Sequence, residues 1–260
     1  MLFGMTAVPS FAKDNLILHY DFSGESIMDV SLNGNDGEIK TNADIASAVF
    51  EDGKIHIADG AYIEMPEGIL SGKKTATIAI NMMPELEKAN MFTWNFGNSS
   101  TEGYMFLNTA RGDGKLRFGI TKTSYSDEEE LVSDNYVANG TWTNIVVVLD
   151  GKNSKLYRDG VLEAQNELTI SPADLGKTAQ NYIGKSPYSA DKYVNGYIDD
   201  FRIYDTALTE SEVKALSDEY QAGLADYLIE RDFEELNIPS VTFGNMALSD
   251  YAKNTGADIT

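Results

Sequence analysis

The stretch Gly196-Tyr197-Ile198-Asp199-Asp200-Phe201-Arg202-Ile203-Tyr204, followed after Asp205-Thr206 by Ala207-Leu208-Thr209-Glu210-Ser211-Glu212-Val213, carries two periodicities a few residues apart. In an extended chain neighbouring side chains point to opposite faces, which sets Ile198, Asp200 and Arg202 on one side and Asp199 and Phe201 on the other. One of the two carboxylates then faces the core, where a charge needs a partner, and Arg202 offers Asp200 an ion pair. The second half reads differently. Thr209 with Glu212 forms a capping box, in which the threonine hydroxyl accepts the N3 amide and the glutamate reaches back to the cap N–H. Val213, Leu216 and Tyr220 then recur at helical spacing, predicting a helix to about Gln221. Gly223 is expected to interrupt it, and a second acidic helical stretch, Leu224 to Glu235, precedes Ile238-Pro239.

Working back towards the N-terminus, short alternating runs separated by Gly, Asn and Asp dominate, the pattern of a β-sandwich. Leu16, Leu18, Tyr20 and Phe22 share a face opposite Ile17, His19 and Asp21, which predicts a first strand. Further strands are predicted over Lys54 to Ile57, Tyr62 to Met65, Ala76 to Met82, Met91 to Phe96 and Tyr104 to Asn108. The series continues with Lys115 to Thr121, Trp142 to Leu149, Lys155 to Arg158, Asn181 to Gly184 and Tyr193 to Tyr204, about a dozen strands in all. Asp159-Gly160 is a two-residue hairpin signal, because a type I′ turn needs positive φ at both central residues, and Asp113-Gly114 offers another.

The length of 260 residues suits one large all-β domain or two small ones. With 20 basic against 41 acidic side chains the net charge is −21, which repels phosphate backbones and anionic lipid, so nucleic acid is not expected as a partner. There is no cysteine, which excludes disulfides, thiolate metal sites and thiol nucleophiles. No run of 18 or more apolar residues exists to span a membrane as a helix. The apolar start Met1 to Val8, with Ser10 and Ala12 as small residues at −3 and −1 of a cleavage position, reads as a clipped bacterial secretion signal over residues 1–12, and implies a secreted protein.

Three segments together resemble the bacterial form of laminin-G-like (concanavalin A-like) jelly-roll domains. They are Asp29-Val30-Ser31-Leu32-Asn33-Gly34-Asn35-Asp36-Gly37, Trp142-Thr143-Asn144-Ile145-Val146-Val147 with the hairpin Leu156 to Gly160, and Gly196 to Asp205 continuing into Ala207 to Val213. The likeness departs at Leu32, where glycine is usual, and at Ser23, where an acid commonly follows the first strand. It implies an all-β antiparallel jelly roll over residues 13–221 with a C-terminal helical connector. The segments Leu236-Asn237-Ile238-Pro239, Gly244 to Leu248 and Gly256 to Thr260 resemble the opening of Ig-like linker domains, making 222–260 a connector and the start of such a domain. Those linkers join jelly rolls to secreted glycoside hydrolases, notably arabinan- and xylan-active ones.

Two kinds of site follow. Asp29, Ser31, Asn33 and Asn35 present oxygens at every second position of a Gly-bearing loop, a spacing that can wrap calcium. Equally, Asx side chains can bond their own turn. Lys40 at the twelfth position rules out an EF-hand. The resemblance puts the last strand beside the first, so a structural Ca2+ site is expected from Asp21, Asn33, Asn35 and Asp199, with Asp200 as substitute. For a sugar, ring faces and amide or guanidinium groups are needed. Tyr125, Tyr188 and Tyr193 stand in polar loop contexts, with Asn98, Asn108 and Arg111 as polar companions. Trp94 and Trp142 read as packing residues, and Asp127-Glu128-Glu129-Glu130 as a solvated loop run.

No nucleophile elbow, zinc helix or phosphate loop occurs in the sequence. The resemblance thus implies a non-catalytic carbohydrate-binding module of a secreted polysaccharide-degrading enzyme, of arabinan or xylan type. It would be monomeric, bind a poly- or oligosaccharide and be tethered to a catalytic domain. The alternatives are a calcium-stabilised structural or adhesion domain without glycan affinity, and the N-terminal part of a glycoside hydrolase whose catalytic domain lies beyond residue 260.

Overall fold

The computed structural model describes residues 15–44, 46–85, 91–99, 102–109 and 112–235, with side chains as far as 224. The chain divides into two compact units, 1–220 and 221–260. The expected leader, residues 1–12, and the Ig-like likeness from 236 onward lie outside the described residues.

The first unit is a sandwich of two antiparallel sheets. Strands β1 (Leu16–Tyr20), β3 (Ser47–Glu51), β4 (Lys54–Ala58), β6 (Ala76–Pro84), β11 (Thr143–Leu149), β12 (Ser154–Arg158), β13 (Val161–Asn166) and β15 (Gly196–Tyr204) form an eight-stranded sheet, ordered β13-β12-β11-β6-β15-β4-β3 with β1 also on β15. The second sheet holds β2 (Glu38–Thr41), β5 (Ala61–Glu64), β7 (Trp94–Gly97), β8 (Tyr104–Asn108), β9 (Arg117–Thr121), β10 (Glu129–Val132) and β14 (Gln180–Ile183), ordered β10-β9-β8-β7-β14-β5-β2. Alternate residues of both sheets meet in one core, from Leu18, Ile78, Ile80, Ile145 and Val147 on one side to Ile63, Trp94, Phe96, Leu107 and Phe118 on the other.

The expected antiparallel jelly roll is what the chain forms. Asp159 and Gly160, at φ 50° and 75°, make the two-residue turn between β12 and β13. Asp113-Gly114 instead sits inside the longer β8–β9 connection, where Asp113 Oδ1 accepts the Lys115 N–H at 3.2 Å. Strands β2, β3 and β10 were not anticipated, and β13 only through its hairpin. All four are terminal strands of their sheets, with a half-wet or fully wet pattern that weakens the alternation.

The capping box is present, with Glu212 N–H donating to Thr209 Oγ1 at 3.4 Å and Thr209 N–H to Glu212 Oε2 at 2.6 Å. It starts α1 (Glu210–Glu235), which runs through Gly223 without the expected interruption. One glycine costs a helix about 1 kcal/mol, too little to end it. Leu208, Val213 and Leu216 cover Ala79, Val146, Val148, Tyr157 and Tyr204, closing part of the outer face of the eight-stranded sheet. Each fully buried side chain of this kind is worth about 1.5–3 kcal/mol.

Candidate functional site

Strict alternation fails at one place in β15. Ile198 pairs with Met82 and Asp200 with Asn81, so the register slips between them. Ile198 and Phe201 therefore both enter the core, and Asp200 lies on the outer face with Arg202 instead of sharing a side with Ile198. Arg202 reaches Asp200 at 2.9 Å and Glu219 of α1 at 3.1 Å, and His19 Nε2 lies 2.8 Å from Asp200 Oδ2. Burial opposes ionisation of Asp200, but the Arg202 charge and the His19 contact outweigh it and hold its carboxyl well below the usual range. Arg202, for its part, is raised against its own burial by Asp200.

The residues expected to hold calcium separate into two groups. Asp29 is the hub of its own loop, accepting the N–H groups of His19 and Ser31 at 3.0 Å on Oδ1 and that of Asn35 at 3.0 Å on Oδ2. The Asn33 amide donates to Leu16 O at 2.9 Å and the Asn35 amide to Ile17 O at 2.7 Å, so these asparagines satisfy carbonyls along β1. The turn-stabilising role is thus the one the loop geometry displays. Asp199 lies within electrostatic reach of Asp21 and Asp200. Burial pushes its carboxyl up to about 6, Lys54 pulling it down and Asp200 adding to the rise. Among the described residues no group of three or more His, Cys, Asp or Glu side chains is arranged to hold a metal ion.

The outer face of the seven-stranded sheet collects aromatic rings. Alternation places Tyr62 opposite Ile63 on β5, Tyr182 opposite Ile183 on β14, and Tyr104 and Phe106 opposite Met105 and Leu107 on β8. Tyr62 meets Tyr182 edge-on at 5.3 Å and Tyr193 at 6.0 Å. Farther along, Phe92 stacks on Phe106 at 3.8 Å, and Tyr188 closes over Phe92 and Tyr104 at 6.4 and 5.8 Å. Gly119 faces Phe106 across the β8–β9 ladder, where a Cβ would lie 2.7 Å from the ring, so this ring needs a glycine beneath it.

Polar groups rim the rings. Tyr104 donates its hydroxyl to Glu128 Oε1 at 2.6 Å and lies 2.9 Å from the Tyr188 hydroxyl. Burial, then the Tyr188 hydrogen bond, pushes the Tyr104 phenol far above its ordinary range, so it stays a donor. Arg117 pairs with Glu128 and, at 2.6 Å, with Glu130, while lying 5.0 Å over Phe106. Glu129 accepts the Thr169 and Ile170 N–H groups at 2.6 and 3.2 Å. The second half of the acidic run expected as a solvated loop, Glu129 and Glu130, is therefore the start of an edge strand, and the carboxylates of Glu128, Glu129 and Glu130 are held by Arg117, Tyr104 and backbone amides.

Of the residues expected to meet a sugar, Tyr188 and Tyr193 lie on this face. Tyr125 stands apart, 73% exposed on the turn Tyr125–Asp127. Asn98 ties loops together, its amide donating to Leu175 O at 2.5 Å, and Asn108 is buried in β8 opposite Arg117. Arg111 lies outside the described residues. Tyr62, Tyr182, Tyr104, Phe106 and Lys185 were not singled out from sequence. The available signal was their position on the non-core phase of strands whose other phase is plainly apolar. Trp94 is fully buried in the core, as expected, and Trp142 packs near Tyr197 and Tyr220 at 6.4 and 6.3 Å.

Residues 58–214 match the family described as the concanavalin A-like lectin/glucanases superfamily, and the chain belongs to that family. An alpha-L-arabinofuranosidase of Bifidobacterium longum subsp. longum is 38% identical over 98 residues, 37% of this chain and 9% of that enzyme. The match thus spans under a tenth of the relative's length. Domain 4 of AbnA, a GH43 extracellular arabinanase from Geobacillus stearothermophilus, solved in complex with arabinotriose, superposes with a TM-score of 0.66. Its identity is 20%, over 78% of this chain and 98% of that domain. The binding domain of botulinum neurotoxin serotype D/C superposes with a TM-score of 0.61 at 11% identity, covering 80% of this chain and 52% of that one. Both likenesses are of fold. Among the described residues no helix is long and apolar enough to cross a membrane.

Proposed function

We propose that this domain is a carbohydrate-binding module of a glycoside hydrolase, holding a secreted enzyme close to an arabinan- or xylan-type polysaccharide. The observation that carries this is two groups of rings on the outer face of the seven-stranded sheet, half-buried Tyr62 and Tyr193 beside buried Tyr182, and half-buried Tyr188 over the buried Phe92 and Tyr104, flanked by Glu64, Gln180 and Glu128. Sugars present C–H patches beside hydroxyls, and rings beside hydrogen-bonding groups complement both. The arabinotriose complex of AbnA domain 4 and the arabinofuranosidase relative support the same reading. Tethering raises the local concentration of a catalytic domain at its substrate without any chemistry in the module.

Calcium belongs to this proposal at Asp199 and Asp21. A half-buried carboxylate whose charge is disfavoured by desolvation and by neighbouring acids, with Lys54 offsetting part of this, is relieved by a divalent cation with oxygen preference. The test of the main reading is calorimetric titration with arabinan- and xylan-derived oligosaccharides. Saturable binding that Tyr193→Ala weakens supports it, and heat indistinguishable from buffer for every oligosaccharide overturns it.

A further inference from the structure

Lys185 stands two residues past the end of β14, and its ammonium lies 4.2 Å from the centroid of Tyr62 and 4.5 Å from that of Tyr182. The segment that carries it is pinned. Gly184 N–H donates to Thr93 O at 2.8 Å, Val194 N–H to Gly184 O at 2.9 Å, and Ser186 Oγ to Asp191 Oδ2 at 2.6 Å. The backbone on either side of Lys185 is thereby fixed, which lowers the ordering cost of a contact with its side chain.

Two other cations of this face are already neutralised. Lys40 lies 2.7 Å from Glu38 and 3.5 Å from Glu64, and Arg117 holds Glu128 and Glu130. Lys185 has no carboxylate partner among the described residues, although acids outnumber bases 41 to 20 in the chain. Its charge rests on ring faces instead, a weak attraction where water has access. A charge-assisted hydrogen bond is stronger than a cation over a ring face, so an incoming carboxylate gains more than the rings supply. Glu64, the acid beside Tyr62, is drawn towards Lys40, which offsets part of its repulsion.

We propose that Lys185, with Tyr62 and Tyr193, forms a subsite for a carboxylated sugar, a uronic acid unit carried by the bound glycan. The inference rests on the carbohydrate reading of this same face. The ammonium meets the carboxylate and the tyrosines line the sugar ring beside it. The overall charge of −21 does not forbid this, because at physiological ionic strength charges beyond about 8 Å are screened.

The experiment compares uronate-containing oligosaccharides with their methyl esters, which keep the ring and remove the charge, alongside neutral arabino-oligosaccharides. The free acid is expected to bind about fivefold or more tightly than the ester in dilute buffer, with the advantage shrinking as sodium chloride is raised. Lys185→Gln brings the acid-to-ester ratio to about one, and Lys185→Arg retains it; unchanged thermal melting of both variants shows that the fold is kept. Equal binding of acid and ester, or a preference indifferent to salt or to Lys185→Gln, overturns the uronate subsite and leaves the carbohydrate reading standing. Binding of none of the sugars overturns both.

Discussion

Ile198 and Phe201 both point into the sandwich core although they stand three positions apart, an odd spacing that strict alternation would send to opposite faces, because β15 carries an extra residue between its pairings with Met82 and Asn81. That slip turns Asp200 outward, onto the face where Arg202, His19 and Glu219 of α1 converge. The ion pair is therefore also a link between the last strand and the helix that covers it.

Removing Arg202 leaves two acids, Asp200 and Glu219, without their shared cation in a water-poor site. Arg202→Met is expected to destabilise the domain by about 3–5 kcal/mol, read from urea denaturation. A loss under 1 kcal/mol would mean that water already screens the pair.

Leu32 has φ 69° and is 92% exposed, so it bears the strain of the left-handed region with no packing in return. The laminin-G-like likeness has glycine there. Leu32→Gly is expected to stabilise by about 0.5–1 kcal/mol, the relief of backbone strain exceeding the added freedom of the unfolded chain. A rise of a few degrees in melting temperature checks it; a fall would show that Leu32 has a contact within the fold.

Glu163 lies 2.5 Å from Arg158 and accepts the Ser133 hydroxyl at 2.6 Å. Burial opposes its ionisation, but the Ser133 and Asn135 hydrogen bonds and Arg158 together lower its carboxyl below the ordinary 4.5. The unfolded chain then binds the proton more readily than the folded one, so this stabilisation is complete above pH about 4.5 and fades as the pH falls through the folded value. Glu163→Gln should lower stability at neutral pH and flatten the acid limb of melting temperature against pH. An acid limb as steep as that of the parent protein would remove Glu163 from its cause.

Tyr193 and Tyr125 separate the aromatic face from the loop tip. Tyr193→Ala should weaken glycan affinity about three- to tenfold, whereas Tyr125→Ala, at a site 73% exposed and away from the other rings, should change neither affinity nor melting. The reverse order of effects would move the sugar to the Tyr125 turn.

Calcium held at Asp199 and Asp21 should raise the melting temperature by linkage, and chelator should reverse the rise. In Asp199→Asn the response to calcium should vanish. Identical melting with calcium and with chelator removes the ion from this site.

The central strands β6, β11 and β15 were legible as sequence because both their faces are covered and their runs are apolar or sharply alternating. The edge strands β2, β3 and β10 were not, since a strand with one free edge and wet side chains looks like loop. Tyr188 and Tyr193 were recognisable as aromatics without a local reason to be buried. Tyr62, Tyr182 and Lys185 lie 120 or more positions apart at the extremes, and only the pairing of β5 with β14 makes them neighbours. Composition excluded disulfides, and alternation with turn chemistry set the layered antiparallel fold, because hydrophobic period and positive-φ turns are local properties of the chain. The β15 slip, the sharing of Arg202 between strand and helix, and the gathering of rings on one face depended on tertiary contacts. They arise where segments distant in sequence compete for the same space, and no local pattern encodes the outcome of that competition.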